Sequence, residues 1–296
     1  MGTPENGGGG PEQVLADLGL GVVAAWKQRT GQKAVGHFPV YAPLEMIHAQ
    51  GALPVSLFGG WGQIEIDHAD SRLQSFVCSI TKSTLELGLT GRLSVLDGMV
   101  FTNICDVARN LSGVWSRNFP AMMTVFLHMP QNVESPSARA HLASELRRLS
   151  ASLERLTGVA YDPARLAESI ALYNETRSLL LRLFELRRKR PGLIGAGEVS
   201  AILDAAMTMP KEEFNPRLKK FLQASERAKA KPGGVRLLLA GNPCEDLEPG
   251  FATVLEELGA AVVADDLFPG NRYLFPLVQD GHPLEALAQA HLQVAP

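Results

Sequence analysis

Cysteine is scarce in this sequence: three residues, Cys78, Cys105 and Cys244, among 296. An odd, small number of widely spaced cysteines does not build a disulfide framework. Aromatic residues make up 6%, too few for a platform on which nucleic-acid bases stack. Neither sign of charge dominates. The 28 basic and 31 acidic residues give a formal net charge of −3, without the electrostatic footprint of a generic nucleic-acid binder. Long apolar runs are missing too. The longest, such as Val235–Ala240 around Arg236, are strand-length, far short of the roughly 20 residues that span a bilayer. The opening MGTPENGGGG has no basic start and no apolar core, so it is not a signal peptide. These absences predict a cytoplasmic protein with no nucleic-acid partner and no membrane partner.

Several sequence signatures of catalysis are also missing. No G-x-x-x-x-G-K-[ST] appears, and no G-x-G-x-x-G opens a helix; Gly59-Gly60-x-Gly62 is too loose to count. The chain is therefore expected neither to hydrolyse ATP itself nor to hold a dinucleotide in the usual way. G-x-S-x-G, H-E-x-x-H and C-x-x-C are absent as well.

What is present is an ordinary folding composition, 46% hydrophobic and 20% charged, which excludes a disordered chain. The length suggests two domains. Residues 1–10 are a glycine-rich tail. Residues 11–30 read as a helix that Gly31 stops. Ala34–Phe38, a short helix from Pro43 to about Gln50, and Ala52–Phe58 give strand, helix, strand. Further helices are expected over Gln74–Gly88 and Val107–Trp115, and strands over Leu96–Ile104 and Met122–Leu127. This alternation is the grammar of a parallel α/β sheet. Helices then run over Ser137–Leu156, from Asp162-Pro163 to about Arg190, and over Val199–Met207 and Phe214–Lys229. The basic run Arg187–Arg190 reads as the solvated last turn of a helix, which its dipole favours. Lys231-Pro232-Gly233-Gly234 marks a boundary. Beyond it, Val235–Ala240 is expected as a buried strand, Ala252–Leu258 as a helix and Ala261–Ala264 as a strand. The expected fold class is α/β: two Rossmann-like parallel-sheet lobes joined by a helical segment, the C-terminal lobe short. The predicted divisions are a tail over 1–10, an N-terminal lobe with its leading helix over 11–135, a helical bridge over 136–232 and a second βαβ lobe over 233–296.

Placement singles out the cysteines. Cys105 follows the apolar run Met99-Val100-Phe101 and Cys244 follows Val235–Ala240, at carboxyl ends of strands, where open α/β sheets bind ligands. Cys78 sits near the start of the expected Gln74–Gly88 helix, after a polar approach segment, and backbone N–H groups at a helix start favour a thiolate. Three thiolates from such edges suit an iron–sulfur cluster. Three buried thiols are the plainer reading, since free cysteine is among the most buried residue types. Asn103 and Asp106 flank Cys105 and read either as sulfur or substrate contacts or as a turn and helix cap. Glu45 either faces the cleft or is a first-turn helix acid. Gly59 and Gly60 either let substrate approach the backbone or make a turn. His37 and His128 follow apolar runs and read as satisfied core histidines.

The words HFPVYAPLEMIHAQGALPV, SFVCSITKSTLELGLTG, LDGMVFTNICDVARNLSGVW, RNFP and LHMPQN resemble the 2-hydroxyacyl-CoA dehydratase/benzoyl-CoA reductase family. AGNPCEDLEPGFATVLEELGAAVVADDLFPGNRY resembles that family's second α/β unit, and NICDVARNLSGVWSRNFP looks closer to the benzoyl-CoA reductase branch. The resemblance implies several Rossmann-like lobes and a pairing of two related subunits. It also implies a [4Fe–4S] cluster held by three cysteines, an ATP-hydrolysing iron–sulfur activator that feeds in single electrons, and a CoA thioester substrate reduced to a ketyl-type radical. Carried over residue by residue, it makes Cys78 and Cys105 cluster ligands. Family members commonly continue into a third lobe that can supply the last cysteine. Where many relatives carry cysteine after the DD pair, this chain has Phe268. The third ligand is then Cys244, a non-cysteine group or a residue of another chain, unless the cluster is absent or altered. Three functions follow: the iron–sulfur subunit of a benzoyl-CoA reductase-like enzyme, a 2-hydroxyacyl-CoA dehydratase subunit, or a cluster-free structural or assembly partner. A hetero-oligomer with a related subunit is expected.

Overall fold

The structure, a computed structural model, describes residues 19–60, 64–229, 234–241, 251–268, 270, 273 and 276–294. Its first sheet is built from β1 (Lys33–Phe38), β2 (Ala52–Ser56), β3 (Gly98–Thr102) and β4 (Met123–Leu127), all parallel, in the order β2-β1-β3-β4. The first three strands are buried at nearly every position, as strands with helices on both faces are. Side chains alternate between the two faces. Val35, Val100 and Val125 enter one apolar cluster; Ala34, Phe38, Met99 and Phe101 enter the other.

Five helices accompany this sheet: α1 (Leu20–Thr30), α2 (Leu44–Ala49), α3 (Asp67–Asp70), α4 (Ser79–Leu89) and α5 (Asp106–Asn118). Helix α1 ends as expected at Gly31, whose φ of 68° lets its N–H close on Lys27 O. The chain passes from β1 outward to β2, then returns past β1 to β3. Such a reversal opens a crevice at the carboxyl ends of the strands.

Four long helices follow: α6 (Ala138–Thr157), α7 (Pro163–Lys189), α8 (Ala196–Thr208) and α9 (Lys211–Arg227). Asp162 caps α7 by accepting Ala164 N–H at 2.8 Å, with Pro163 at the first helical position. Leu180 and Leu183 of α7, Leu203 of α8 and Leu218 of α9 share a third apolar cluster. The second sheet is separate and pairs β5 (Val235–Ala240) with β6 (Ala260–Asp266) in parallel through α10 (Phe251–Glu257). Helix α11 (Pro283–Leu292) returns to pack on α6 and α7. The α/β class with parallel sheets is thus as expected.

Four expectations are corrected. β5 is not buried: Val235 is 70% and Leu238 65% exposed. Packing against α7 and α10 falls to β6, which leaves β5 at the outer edge of a two-stranded sheet. The basic run is not wholly solvated either. Arg187 is buried and pairs with Asp265 of β6 at 2.9 Å. His128 is exposed and meets Phe126 edge-on at 4.7 Å, because its side chain leaves the end of β4 outward. The helix expected from Gln74 begins only at Ser79, where Cys78 takes the cap position. The tail, the first half of the leading helix and Lys231–Gly233 lie outside the described residues.

Candidate functional site

Parallel topology brings the starts of α2, α4 and α5 to the carboxyl edge of the first sheet. Cys78 is the N-cap of α4 and Cys105 the N-cap of α5. The Cys105 sulfur accepts the Ala108 N–H at 3.4 Å, and the residue is exposed. The Cys78 sulfur lies 3.1 Å from Thr81 Oγ1 and is half-buried. Both cysteines thus stand at helix starts on this edge, and the Cys105 sulfur takes up one of the free N–H groups of its helix. Cys244 lies outside the described residues. Among those described, no three histidine, cysteine or acidic side chains are grouped to hold a metal.

The neighbouring candidates have other attachments. Asn103 clamps the end of β3 to the chain leaving β4: its Nδ2 donates to Met129 O at 3.0 Å, and its Oδ1 accepts Met129 N–H. Asp106 is exposed in the first turn of α5. Gly59 has a φ of 71°, and a Cβ there would lie 2.1 Å from Ser83 Oγ. Gly60 N–H donates to that hydroxyl at 3.1 Å. These glycines let the loop after β2 press against the first turns of α4. Glu45 is both a first-turn acid of α2 and 1% exposed, paired with the buried Arg177 of α7.

That pair borders a cavity of about 60 Å³ at the carboxyl end of β1. Its walls include Tyr41, Tyr173, Phe268 and Tyr273 among aliphatic side chains. The Phe268 ring lies tilted against Phe58, centroids 4.4 Å apart, and against Tyr273 at 6.0 Å. His37, Arg177, Lys211 and His291 also line it. His37 donates to or accepts from Ser56 Oγ at 2.7 Å, and burial with the Lys211 charge pulls its pKa down to about 3, so the ring is neutral. Burial pulls the Lys211 ammonium down to about 7, only partly offset by Glu212. Burial would raise the Glu45 carboxyl. The Arg177 guanidinium, with His291, outweighs it and holds the group below its ordinary value. Burial pushes the Tyr273 phenol up to about 12 and Tyr173 well above its ordinary value, so both phenols keep their protons.

Arg177, Lys211, Tyr173 and Tyr273 are not legible as site residues from local sequence. Two signals were available. Lys211 opens a helix, the end where a cation is disfavoured. Arg177 interrupts the buried stripe formed by Ile170, Tyr173 and Leu180.

The family model described as 2-hydroxyglutaryl-CoA dehydratase, D-component, matches residues 39–296. A subunit of the benzoyl-CoA reductase of Thauera aromatica is 35% identical over 284 residues, 95% of this chain and 74% of that protein. The beta subunit of lactoyl-CoA dehydratase from Anaerotignum propionicum is 32% identical over 272 residues, 91% of this chain and 71% of the relative. The beta subunit of (R)-2-hydroxyglutaryl-CoA dehydratase from Acidaminococcus fermentans is 28% identical over 242 residues, 80% and 62% of the respective chains.

Proposed function

Because the chain belongs to the 2-hydroxyglutaryl-CoA dehydratase D-component family, we propose that it is the iron–sulfur subunit of a benzoyl-CoA reductase-like enzyme that delivers electrons to an aromatic CoA thioester. One observation carries this reading: cysteine-capped helix starts and an aromatic-walled cavity share the carboxyl edge of one sheet. A cluster is supported by the chemistry of the donors: thiolates are the usual iron–sulfur ligands, and the Cys105 sulfur accepts a helix N–H. Cys78, Cys105 and Cys244 would hold it, and a [4Fe–4S] cluster would supply single-electron transfer. Neighbouring Asn103 and Asp106, with Gly59 and Gly60 and Glu45, remain the proposed substrate-side residues.

The chain's own groups suit an aromatic acyl thioester. Tyr173, Phe268 and Tyr273 offer faces and edges to a ring. Arg177, fixed by Glu45 and by Asn174 Oδ1 at 2.9 Å, sets a positive charge beside the cavity. A thioester carbonyl that gains negative charge is stabilised by such a preorganised cation. The names of the relatives, all subunits, support a partner subunit, which we take to be a related, cluster-binding one. With no nucleotide motif in the chain, an ATP-hydrolysing iron–sulfur activator is the proposed electron source.

Two of the relatives are dehydratase subunits, which favours a second reading, a 2-hydroxyacyl-CoA dehydratase using the same edge. Phe268, packed where many relatives would carry a cysteine, favours a third, a cluster-free structural or assembly partner. Anaerobic purification with the related subunit separates them. The first reading predicts that about four irons per copy of this chain, beyond those the partner holds, are lost in Cys78→Ser and Cys105→Ser. It also predicts a product heavier than the substrate by two hydrogens, whereas dehydration removes one water. A complex whose iron content neither substitution changes would leave only the third reading.

A further inference from the structure

We propose that Lys211 is a covalent acyl-acceptor site, its Nζ taking the acyl group of a small acyl thioester that enters the cavity at the end of β1. Lys211 is 2% exposed yet lines that cavity. Its hydrogen-bond partners are two main-chain carbonyls, Ala206 O and Met209 O, the latter at 3.1 Å. The rings of Tyr173 and Phe214 lie with centroids 5.5 and 5.8 Å from Nζ. A neutral amine has two hydrogens. If both go to the two carbonyls, the lone pair takes the remaining direction and is available to an electrophile.

The surroundings favour the neutral form. From β1, His37 is neutral; from α7, Arg177 is a cation and Tyr173 a protonated phenol; from α11 comes His291 and from beyond β6 the Tyr273 phenol. Glu45 of α2 is engaged by Arg177. Glu212 on its own helix, the two carbonyls and the two ring faces pull the other way, but burial outweighs them and the ammonium titrates at about 7. A desolvated lysine of this kind is a nucleophile near neutral pH.

The step needs no oxidant. Nζ attacks the thioester carbonyl, the C–N bond forms and the C–S bond breaks. The amine proton leaves with the thiolate, giving an Nε-acyl-lysine and a free thiol. The acyl group would occupy the cavity, so the modified protein would take up small ligands poorly. The choice of a thioester as donor rests on the function proposed above; the amine and its cavity do not.

The probe is S-acetyl-N-acetylcysteamine, which needs no iron, no CoA site and no partner, so its result is independent of the cluster. The folded chain is incubated with it across pH 5.5–9, and acetylated peptides are quantified by mass spectrometry. At pH 7 an ordinary exposed lysine is about 0.04% neutral and a lysine titrating at 7 about half neutral. That difference of roughly a thousandfold is cut by the weaker nucleophilicity of a less basic amine and by its burial, so Lys211 is expected to be acetylated on the order of 10-fold faster than Lys219 and Lys220, which are exposed on the same helix. Its rate should level off above pH 7, and urea should abolish the preference. Labelling that follows exposure, a Lys211 rate still climbing with pH to 9, or a Lys211 that a small aldehyde with borohydride traps but the thioester does not, would each overturn the proposal.

Discussion

Replacing Arg177 by methionine tests the charge balance beneath the cavity. The side chains of Arg177 and Glu45 are 9% and 1% exposed. Losing the cation leaves a carboxylate buried without its main partner, a defect that costs about 3–5 kcal/mol. At roughly 2–4 °C per kcal/mol for chains of this size, the melting temperature should fall by about 6–20 °C. The double variant Glu45→Gln, Arg177→Met removes both charges and should recover at least about 2 kcal/mol of the loss, the signature of a directly coupled pair. The sign of the pH dependence follows from the direction of the carboxyl's shift. Glu45 titrates below its ordinary 4.5 in the folded chain, so the stability it contributes is complete above pH 4.5 and is lost as pH falls through the depressed value. Without Arg177, burial raises the carboxyl instead. The variant's deficit should then be largest near pH 8 and shrink towards pH 4, as Glu45 takes up a proton at less cost. Thermal unfolding by circular dichroism at pH 4, 6 and 8 reads all three effects. A deficit under about 1 kcal/mol, a deficit flat with pH, or no recovery in the double variant would refute the reasoning.

Gly59→Ala should lower stability by about 1–3 kcal/mol, because φ is positive and the new Cβ would strike Ser83 and the backbone of Ile80. Gly31→Ala, at φ 68° but in open space, should cost only the conformational penalty of about 1–2 kcal/mol; equal losses in urea melts would contradict the crowding argument. Arg187→Met should speed amide exchange in β6 far more than in β3, since it removes the buried guanidinium that ties α7 to Asp265 of the second sheet; unchanged exchange in β6 would show that the pair does not hold that sheet.

Much of this arrangement is legible in sequence because it rests on short-range rules. Apolar segments such as Ala34–Phe38 and Met99-Val100-Phe101 have no competing period, and the Asp162-Pro163 pair announces α7. Cys105 is legible as a helix-start residue for the same reason, whereas Cys78 is legible only as lying near a helix start, because the segment Gln74–Val77 looks helical too. What escapes the sequence depends on separation. The buried environment of Lys211 comes from β1, α7 and the segment after β6, and the partner of Glu45 lies 132 residues away. Arg187 looks like any basic last-turn residue until Asp265 is brought under it. The exposure of β5 escapes as well, because an apolar strand reads alike at the centre and at the edge of a sheet.

Helix α7 is 27 residues long, about 40 Å. It carries two buried ion pairs: Arg177 is fastened to α2 and Arg187, about 15 Å further along, to β6. The helix is therefore a strut pinned at two points. The second sheet cannot pivot away from the first without dragging the strut or snapping a pin, and the wall residues Tyr173, Thr176 and Leu180 ride on the same strut. A tilt of the second sheet would load the same strut that carries one wall of the cavity.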